Sequence, residues 1–308
     1  MLKSTDYLKV VAILLAFVLA WALSFVLSLV GLRYVPPTTL VFMRFAIASL
    51  FMLAIFGRRP FLSVKGATPL DIIFFFLASL SGVTLSYLLP VIKRLGLAPG
   101  GSDTVFLMNL APVFLVLLLF AFRGEKVSLG KVAGTAAAVL GMIAIVANWE
   151  RPSSFSLFSR FAFEESLILL SAIAFAIFAF AGKKLIEKYT PSTSAALTVW
   201  LGTILLFPLA LRIDGPAALA RIPSQAWIII LILGTVSSAL AILLFYDALA
   251  RVEASKAASF LFLTPIFITL MIKLESTFGL LLPSPLFVDQ IIVGSILVIV
   301  GVIAIWTG

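Results

Sequence analysis

The chain has 308 residues, of which 63% are hydrophobic and only 11% charged, whereas an ordinary soluble domain is about half apolar and about a quarter charged. That balance excludes a water-soluble globular protein and predicts an integral membrane protein. The net charge of +9 does not point to nucleic acid, because nearly all of the 22 Lys and Arg are scattered through short loops and no basic cluster with interleaved aromatics occurs.

There is no cysteine and no histidine. Disulfides, thiol nucleophiles and thiolate metal sites are thereby excluded, and the commonest general base and metal ligand is missing. Paired carboxylates inside the apolar runs are also lacking. No cofactor and no metal are expected, and the chain does not read as an enzyme.

Taken in order, the apolar runs predict helices over 9–32, 38–56, 70–92, 101–122, 129–148, 165–186, 192–211, 225–249, 255–274 and 287–306. Ten spans of about twenty residues each suit the apolar content. Lys3 to Lys9 followed by an apolar run is formally like a signal peptide, with Ala20-Trp21-Ala22 as a cleavage site. The run continues to Leu32, too long for a signal's apolar core, so a retained first span is expected. Pro36-Pro37, Gly57 to Pro60, Pro99-Gly100-Gly101, Arg123-Gly124, Pro191, Gly215-Pro216 and Pro283 to Pro285 punctuate the runs. The segment 150–164 reads as a linker, its Phe155, Phe158, Phe161 and Phe163 lying on the membrane surface.

Lys and Arg divide unevenly between alternate loops: thirteen, from Lys3 to Lys256, fall on the side of the N-terminus and eight, from Arg33 to Lys273, on the other. The excess predicts both termini in the cytoplasm and a multi-pass protein of the cytoplasmic (inner) membrane.

The chain also repeats itself. An offset of 153 pairs Pro112 with Pro265, Ser102 with Ser255 and Thr84 with Ser237. An offset of 155 pairs Tyr34-Val35-Pro36 with Tyr189-Thr190-Pro191, and one of 160 pairs Gly134 and Gly141 with Gly294 and Gly301. A net insertion of seven therefore falls around Ser276 to Pro285. Five spans per copy is an odd number, so the second copy enters the membrane from the opposite side. The expected fold class is an all-α polytopic membrane protein, ten transmembrane helices in two inverted five-helix repeats. Residues 1–149 form the first repeat and 165–308 the second, joined by the linker.

Each copy places a proline near the middle of an apolar run, in Leu107-Met108-Asn109-Leu110-Ala111-Pro112 and Phe260-Leu261-Phe262-Leu263-Thr264-Pro265. A helical proline removes a backbone donor and crowds the carbonyl four residues back, here that of Met108 and of Leu261. Freed backbone groups are tolerated in a membrane only inside protein or beside a cavity, and broken helices at matching places in two halves mark a transporter's central site. Either both prolines are simple kinks, or they flank that site; the matched pair favours the site.

Around the breaks, several polar and aromatic residues are candidates to line a substrate cavity. Asn109, one turn from Pro112, either binds a substrate carboxylate or ammonium or serves as polar glue between helices. Its repeat partner is Phe262, and Met108 and Thr264 lie beside them. A polar group opposite an aromatic suits an amphipathic solute. Trp21, Ser24 and Ser28 share one face of the first helix. Ser79, Thr84 and Tyr87 on the third, and Ser237 and Ser238 on the eighth, are similar candidates, although hydroxyls in membrane helices also bond back to their own backbone. Gly134, Gly141, Gly294 and Gly301 suit close helix packing, which reads as scaffold.

Ala22-Leu23-Ser24-Phe25, Arg44-Phe45, Pro112-Val113-Phe114 with Gly124-Glu125 further on, and Phe245-Tyr246-Asp247-Ala248-Leu249 followed by Glu253-Ala254-Ser255 occur in this order. With the ten spans and the repeat, this set resembles the EamA family of the drug/metabolite transporter superfamily over nearly the whole chain. The resemblance implies alternating access around one central site and export of a small-molecule substrate. Amino acids come first; multidrug export or sugar-conjugate transport is the alternative. Two departures stand out. In the second half the nearest glutamate, Glu275, follows Leu274 and not glycine, and the first helix has no glutamate of the kind that small four-helix relatives use for proton coupling.

Arg44 is the one cation well inside a predicted span, which by default hints at function. It lies near enough to the helix end for its guanidinium to snorkel to the interface, and the family pattern points to a structural or gating role. Asp103 and Asp247 are expected to pair with loop cations such as Arg94 and Arg251. The expected partners are a small-molecule substrate and the lipid bilayer, with no nucleic acid, in a monomer or homodimer. A membrane enzyme acting on lipid is the remote alternative.

Overall fold

The computed structural model describes residues 4–92, 107–123, 128–146, 163–277 and 288–307, and every regular element among them is helical. The first half contains α1 (Ser4–Gly31), α2 (Pro37–Phe56), α3 (Pro69–Ala78, continuing as Ser79–Leu85 and Ser86–Ile92), α4 (Ala111–Arg123) and α5 (Leu129–Val146). The second contains α6 (Phe163–Leu185), α7 (Pro191–Ile213), α8 (Ser224–Gly234, Thr235–Leu240, Ala241–Arg251), α9 (Ala254–Ser259, Phe260–Leu263, Thr264–Thr277) and α10 (Val288–Thr307). Short helices at Arg59–Ser63 and Pro216–Ala220, which the apolar pattern does not reveal, follow α2 and α7.

Local chemistry sets these boundaries. Pro37, Pro69 and Pro191 open their helices, where the missing N–H costs nothing and the fixed φ is already helical. Thr68 and Asp71 form a reciprocal capping box at the start of α3, and Thr190 accepts from the Thr193 N–H at the start of α7. Pro36 offers α2 no such side chain, and the gap is filled from elsewhere: Asp214, just past α7, accepts from the Thr39 N–H at 2.6 Å and the Thr39 hydroxyl at 2.8 Å. Gly57 (φ 56°) and Gly215 (φ 82°) turn the chain after the ends of α2 and α7, a conformation that L side chains resist.

Seven helical runs are long and apolar enough to cross a membrane: Asp6–Gly31, Pro37–Phe56, Pro69–Pro90, Ser166–Leu185, Pro191–Ile213, Ser224–Arg251 and Ala254–Met271. Ala111–Phe122, Leu129–Ala144 and Ile292–Thr307 are apolar but shorter. The linker 150–164 lies largely outside the described residues, as do Asp103, Arg94, Gly124, Glu125 and most of the region around the inferred insertion; α6 already begins at Phe163.

The helices pack in a pattern that survives exchange of the two halves. α1 packs on α8 and α9, as α6 packs on α3 and α4; α2 meets α8 as α7 meets α3; α2 pairs with α7 and α5 with α10. Such invariance is what a pseudo-two-fold axis requires. It is tightest between α5 and α10, where a Cβ on Gly134 would lie 2.6 Å from the Gly301 carbonyl oxygen and one on Gly141 2.6 Å from that of Gly294. The opposite face of α10 leaves Val293, Ile296, Val300 and Ile303 more than half exposed. A helix apolar all round belongs in a large core or in a membrane, and this outward stripe has no protein cover among the described residues.

Loop ends that the charge count assigns to one side do meet. Lys131 Nζ donates to Glu253 at 2.6 Å, and Lys183 Nζ donates to the carbonyls of Leu249 and Val252 at the end of α8. Lys256 Nζ donates to the Trp306 carbonyl while Trp306 Nε1 donates to that of Lys256, and Tyr7 stands edge-on to the Trp306 ring. Lys188 and Tyr189 both donate to Asp71. Asp247 takes Arg251 in a two-bond pair at 2.9 Å, as expected for a span end. The Lys131 hydrogen bond holds the Glu253 carboxyl below its ordinary range, and the bond to Asp71 raises the Lys188 ammonium.

Candidate functional site

The helices that carry Pro112 and Pro265 are both interrupted one turn before that proline. In α4 the chain turns at Asn109 and Leu110, where the Val113 N–H donates back three residues to Leu110 at 2.9 Å. In α9 the four residues Phe260–Leu263 tighten into a 3₁₀ turn. One expectation is corrected here. The Leu261 carbonyl is not free, because the tightened turn brings the Thr264 N–H onto it, the usual way a strained turn satisfies a carbonyl that a proline abandons.

Two further breaks contain no proline, although Pro90 lies five residues past the end of the first. Ser79–Leu85 in α3 and Thr235–Leu240 in α8 are π-helical, at matching places in the two halves. Widening the ladder by one residue moves backbone partners from four to five residues back, and hydroxyls follow that spacing. Ser86 Oγ donates to the Ser81 carbonyl at 2.7 Å and Ser238 Oγ to the Leu233 carbonyl at 2.8 Å, each five residues back. Ser79 and Ser81 bond back four residues, to Phe75 and Leu77. The apolar periodicity reads α3 and α8 as plain helices; only the clusters Ser79-Leu80-Ser81-Gly82 and Gly234-Thr235-Val236-Ser237-Ser238 signal the widening. Small residues there also admit neighbours: a Cβ on Gly82 would meet the Phe178 ring at 2.3 Å, and one on Gly234 would meet Ile47 at 2.5 Å.

Arg44 does not snorkel. It is only 2% exposed and points across the helix bundle into the widened part of α8. Its Nε donates to Ser238 Oγ at 2.9 Å and one terminal nitrogen donates to the Ser237 carbonyl at 3.1 Å. The guanidinium carbon stands 4.6 Å from the Tyr87 ring centre and 5.5 Å from that of Phe45. The physical reason is local. A π segment leaves carbonyls off their helical partners, and a guanidinium supplies donors for them in a dry place where lipid-facing water is out of reach. Lys131–Glu253, Lys184–Glu187, Lys188–Asp71 and Arg251–Asp247 pair elsewhere, and among the described residues no carboxylate pairs with Arg44.

The structure thus draws Trp21, Arg44, Tyr87, Ser237 and Ser238 into one contiguous group. Trp21 reaches Tyr87 with ring centres 5.5 Å apart, and Tyr87 reaches Phe45 at 4.8 Å. Phe175 of α6 closes on Trp21 at 5.1 Å. Phe45 stands in the Arg44-Phe45 pair, whereas Phe175 carries no mark in the sequence that sets it apart from the other phenylalanines, 28 in all. Ser24 is buried and Ser28 half-buried on the face of α1 that carries Trp21; Ser79 is buried and bonded back to its own helix. Thr84 is buried three residues before Tyr87.

The remaining candidates sit on α4 and α9, which touch each other. Asn109, Phe262 and Thr264 are fully enclosed, Pro112 and Pro265 are buried, and Met108 is half-buried against the main core. Several of these groups carry unused capacity: the hydroxyls of Thr84, Tyr87, Ser237 and Thr264 are shielded from solvent and have no hydrogen-bond partner.

The sequence matches the EamA-like transporter family twice, over residues 8–147 and 162–307. Among curated proteins it is 28% identical to an uncharacterized transporter of Archaeoglobus fulgidus over 92% of this chain and 93% of that one. It is 28% identical to a protein of Streptantibioticus cattleyicolor named "probable terminal-alkyne amino-acid exporter", covering 83% and 82%. A third relative, from Escherichia coli K12 and named "probable amino-acid metabolite efflux pump", is 26% identical over 67% of this chain and 64% of its own. A crystal structure with 17% sequence identity superimposes over 96% of both chains with a TM-score of 0.74, which shows the fold.

Proposed function

Because the chain belongs to the EamA-like transporter family, we propose that it is a secondary transporter that exports small amphipathic metabolites, amino acids first, by alternating access. The observation that carries this reading is the matched set of breaks: π segments in α3 and α8, and turns before Pro112 and Pro265 in α4 and α9. Broken helices at equivalent places in two halves concentrate polar groups at the midplane and give hinges around them. Export of amino acids is favoured by the names of two relatives and by a group that sets cationic and hydroxyl donors beside an aromatic wall.

In this reading α1 to α10 all cross the cytoplasmic membrane as two inverted sets of five, both termini facing the cytoplasm. The hairpins 70–122 and 225–274 rock against the rest. Trp21, Ser24, Ser28, Ser79, Thr84, Tyr87, Met108, Asn109, Ser237, Ser238, Phe262 and Thr264 border the pathway, and Pro112, Pro265 and Arg44 act where the helices bend. No walker-type phosphate loop, G-x-x-x-x-G-K-[ST], occurs in the sequence, so drive by nucleotide within this chain is not part of the proposal. Purified protein in liposomes, given labelled amino acids, is expected to show saturable flux that Asn109→Ala weakens. Flux equal to that of empty liposomes across amino acids, other metabolites and amphipathic drugs would sink the reading.

A further inference from the structure

Resting on the transporter reading above, we infer that Arg44 is the residue that recognises the substrate, and that what it recognises is a carboxylate. Tyr87 and Ser237 complete the anion's hydrogen bonds, and Trp21 packs against the apolar remainder of the solute. A guanidinium carries five N–H donors. Arg44 commits Nε to Ser238 and a terminal nitrogen to the Ser237 carbonyl, both neutral acceptors, and among the described residues no acid pairs with it. Leaving a buried cation without a counter-charge is strongly unfavourable.

Around it lie hydroxyls that do nothing for the fold. Tyr87, whose ring is stacked under the guanidinium, hides its hydroxyl from solvent without a partner, and so does Ser237, whose carbonyl Arg44 already touches. Thr84, three residues before Tyr87, does the same. Buried donors in native proteins are almost always satisfied, so unpaired hydroxyls clustered at an uncompensated charge call for one missing acceptor. A carboxylate fits: it accepts from a guanidinium fork and from hydroxyls at once and carries the needed charge. An ammonium would be repelled, and a neutral amide would leave the charge uncompensated.

A purely structural clamp, with Arg44 pinning α2 to the widened turn of α8, explains its bonds to Ser237 and Ser238 but not the idle hydroxyls. The assignment therefore differs from a site centred on Asn109: the charged end of the solute lies at α2, α3 and α8.

The test uses the full-length protein purified in detergent, with thermal protection measured against the twenty common amino acids, their methyl esters and the corresponding decarboxylated amines. The expected result is protection by at least one free acid at concentrations about ten- to a hundredfold lower than its ester, the range for a hydrogen-bonded charge contact. Arg44→Gln abolishes that preference. Ser237→Ala and Tyr87→Phe guard against an Arg44 variant that does not fold. Each is expected to leave the melting temperature of the unliganded protein unchanged or higher while weakening acid binding. Esters or amines that protect as well as acids would overturn the carboxylate assignment and leave the transporter reading standing. So would an acid-over-ester preference that survives Ser237→Ala and Tyr87→Phe intact. Absence of both protection and flux for every compound would overturn the two together.

Discussion

Replacing Gly141 by alanine tests whether α5 and α10 are scaffold, because the consequence can be read from distances. The new Cβ would stand 2.6 Å from the Gly294 carbonyl oxygen and 2.7 Å from the Val298 nitrogen. Both neighbours are backbone, so no side chain can swing aside. Ordinary contact begins at 3.4 Å, and α10 must therefore withdraw by about 0.8 Å along a seam where Gly134 and Gly301 meet just as closely. Overpacking of this kind costs about 1–3 kcal/mol, which for a chain of this size lowers Tm by about 2–10 °C. Tryptophan fluorescence during heating in detergent measures it, with Gly66→Ala as control, since a Cβ there meets nothing within 4 Å. The KM for any transported solute should be unchanged in the folded fraction. If Gly141→Ala is as stable as Gly66→Ala, close packing is not what the glycine supplies. If it changes KM while Tm holds, α5 belongs to the pathway.

Removing the cap that α7 lends to α2, as in Asp214→Ala, should cost about 0.5–2 kcal/mol, the usual worth of an N-cap. Thr39→Ala should then add less than its effect alone; a full additive loss would mean that the two do not act as a pair. Acidification should weaken the Lys131–Glu253 contact between α5 and the α8–α9 junction. The folded Glu253 carboxyl is held below its ordinary 4.5, so its contribution is present above about pH 4.5 and fades as pH falls through and below that value. Glu253→Gln should show no such acid step in a Tm-versus-pH series. Ser238→Ala deletes the acceptor of Arg44 Nε and the bond to the Leu233 carbonyl, leaving a buried cation short of a partner. It should cost about 1.5–3 kcal/mol, whereas Ser237→Ala next to it should cost nothing in the unliganded protein. Equal losses at the two serines, by thermal unfolding, would contradict the bonding described.

Much of the scaffold was legible in the sequence because apolar run length and proline punctuation are strong one-dimensional signals. Pro37, Pro69 and Pro191 open helices within a residue of the expected starts. The glycine spacing foretold a close helix seam, and the structure gives it a partner, pairing Gly134 with Gly301 and Gly141 with Gly294. The prolines foretold interruptions in α4 and α9 but misjudged the Leu261 carbonyl, because proline's effect on its own turn is local while the compensating 3₁₀ turn depends on Thr264. The π segments were not legible: a single extra residue per turn barely disturbs apolar periodicity, and serine clusters serve many purposes. For Arg44 the sequence left two outcomes open, a snorkel to the interface or the structural or gating role that the family pattern implies. Distance along a helix to its end suggested an escape to the interface, but whether a side chain snorkels depends on what neighbouring helices offer. Here α8 offers a loosened carbonyl and a hydroxyl, 193 and 194 positions away in sequence.

The packing between α5 and α10 also bears on how the molecule is made. Every helix pairing named for the pseudo-two-fold arrangement joins a helix of the first half to one of the second. The repeat is thus a unit of sequence whose main packing partners lie in the other half. During synthesis α5 emerges with its glycine face uncovered, and its partner follows only after four further long helices have been made. The first half must wait in the bilayer, held by lipid and its own turns, until residue 288 onward arrives. Two separately expressed halves, cut within 150–164, should accordingly be unstable alone and recover a folded, cooperative unit when produced together.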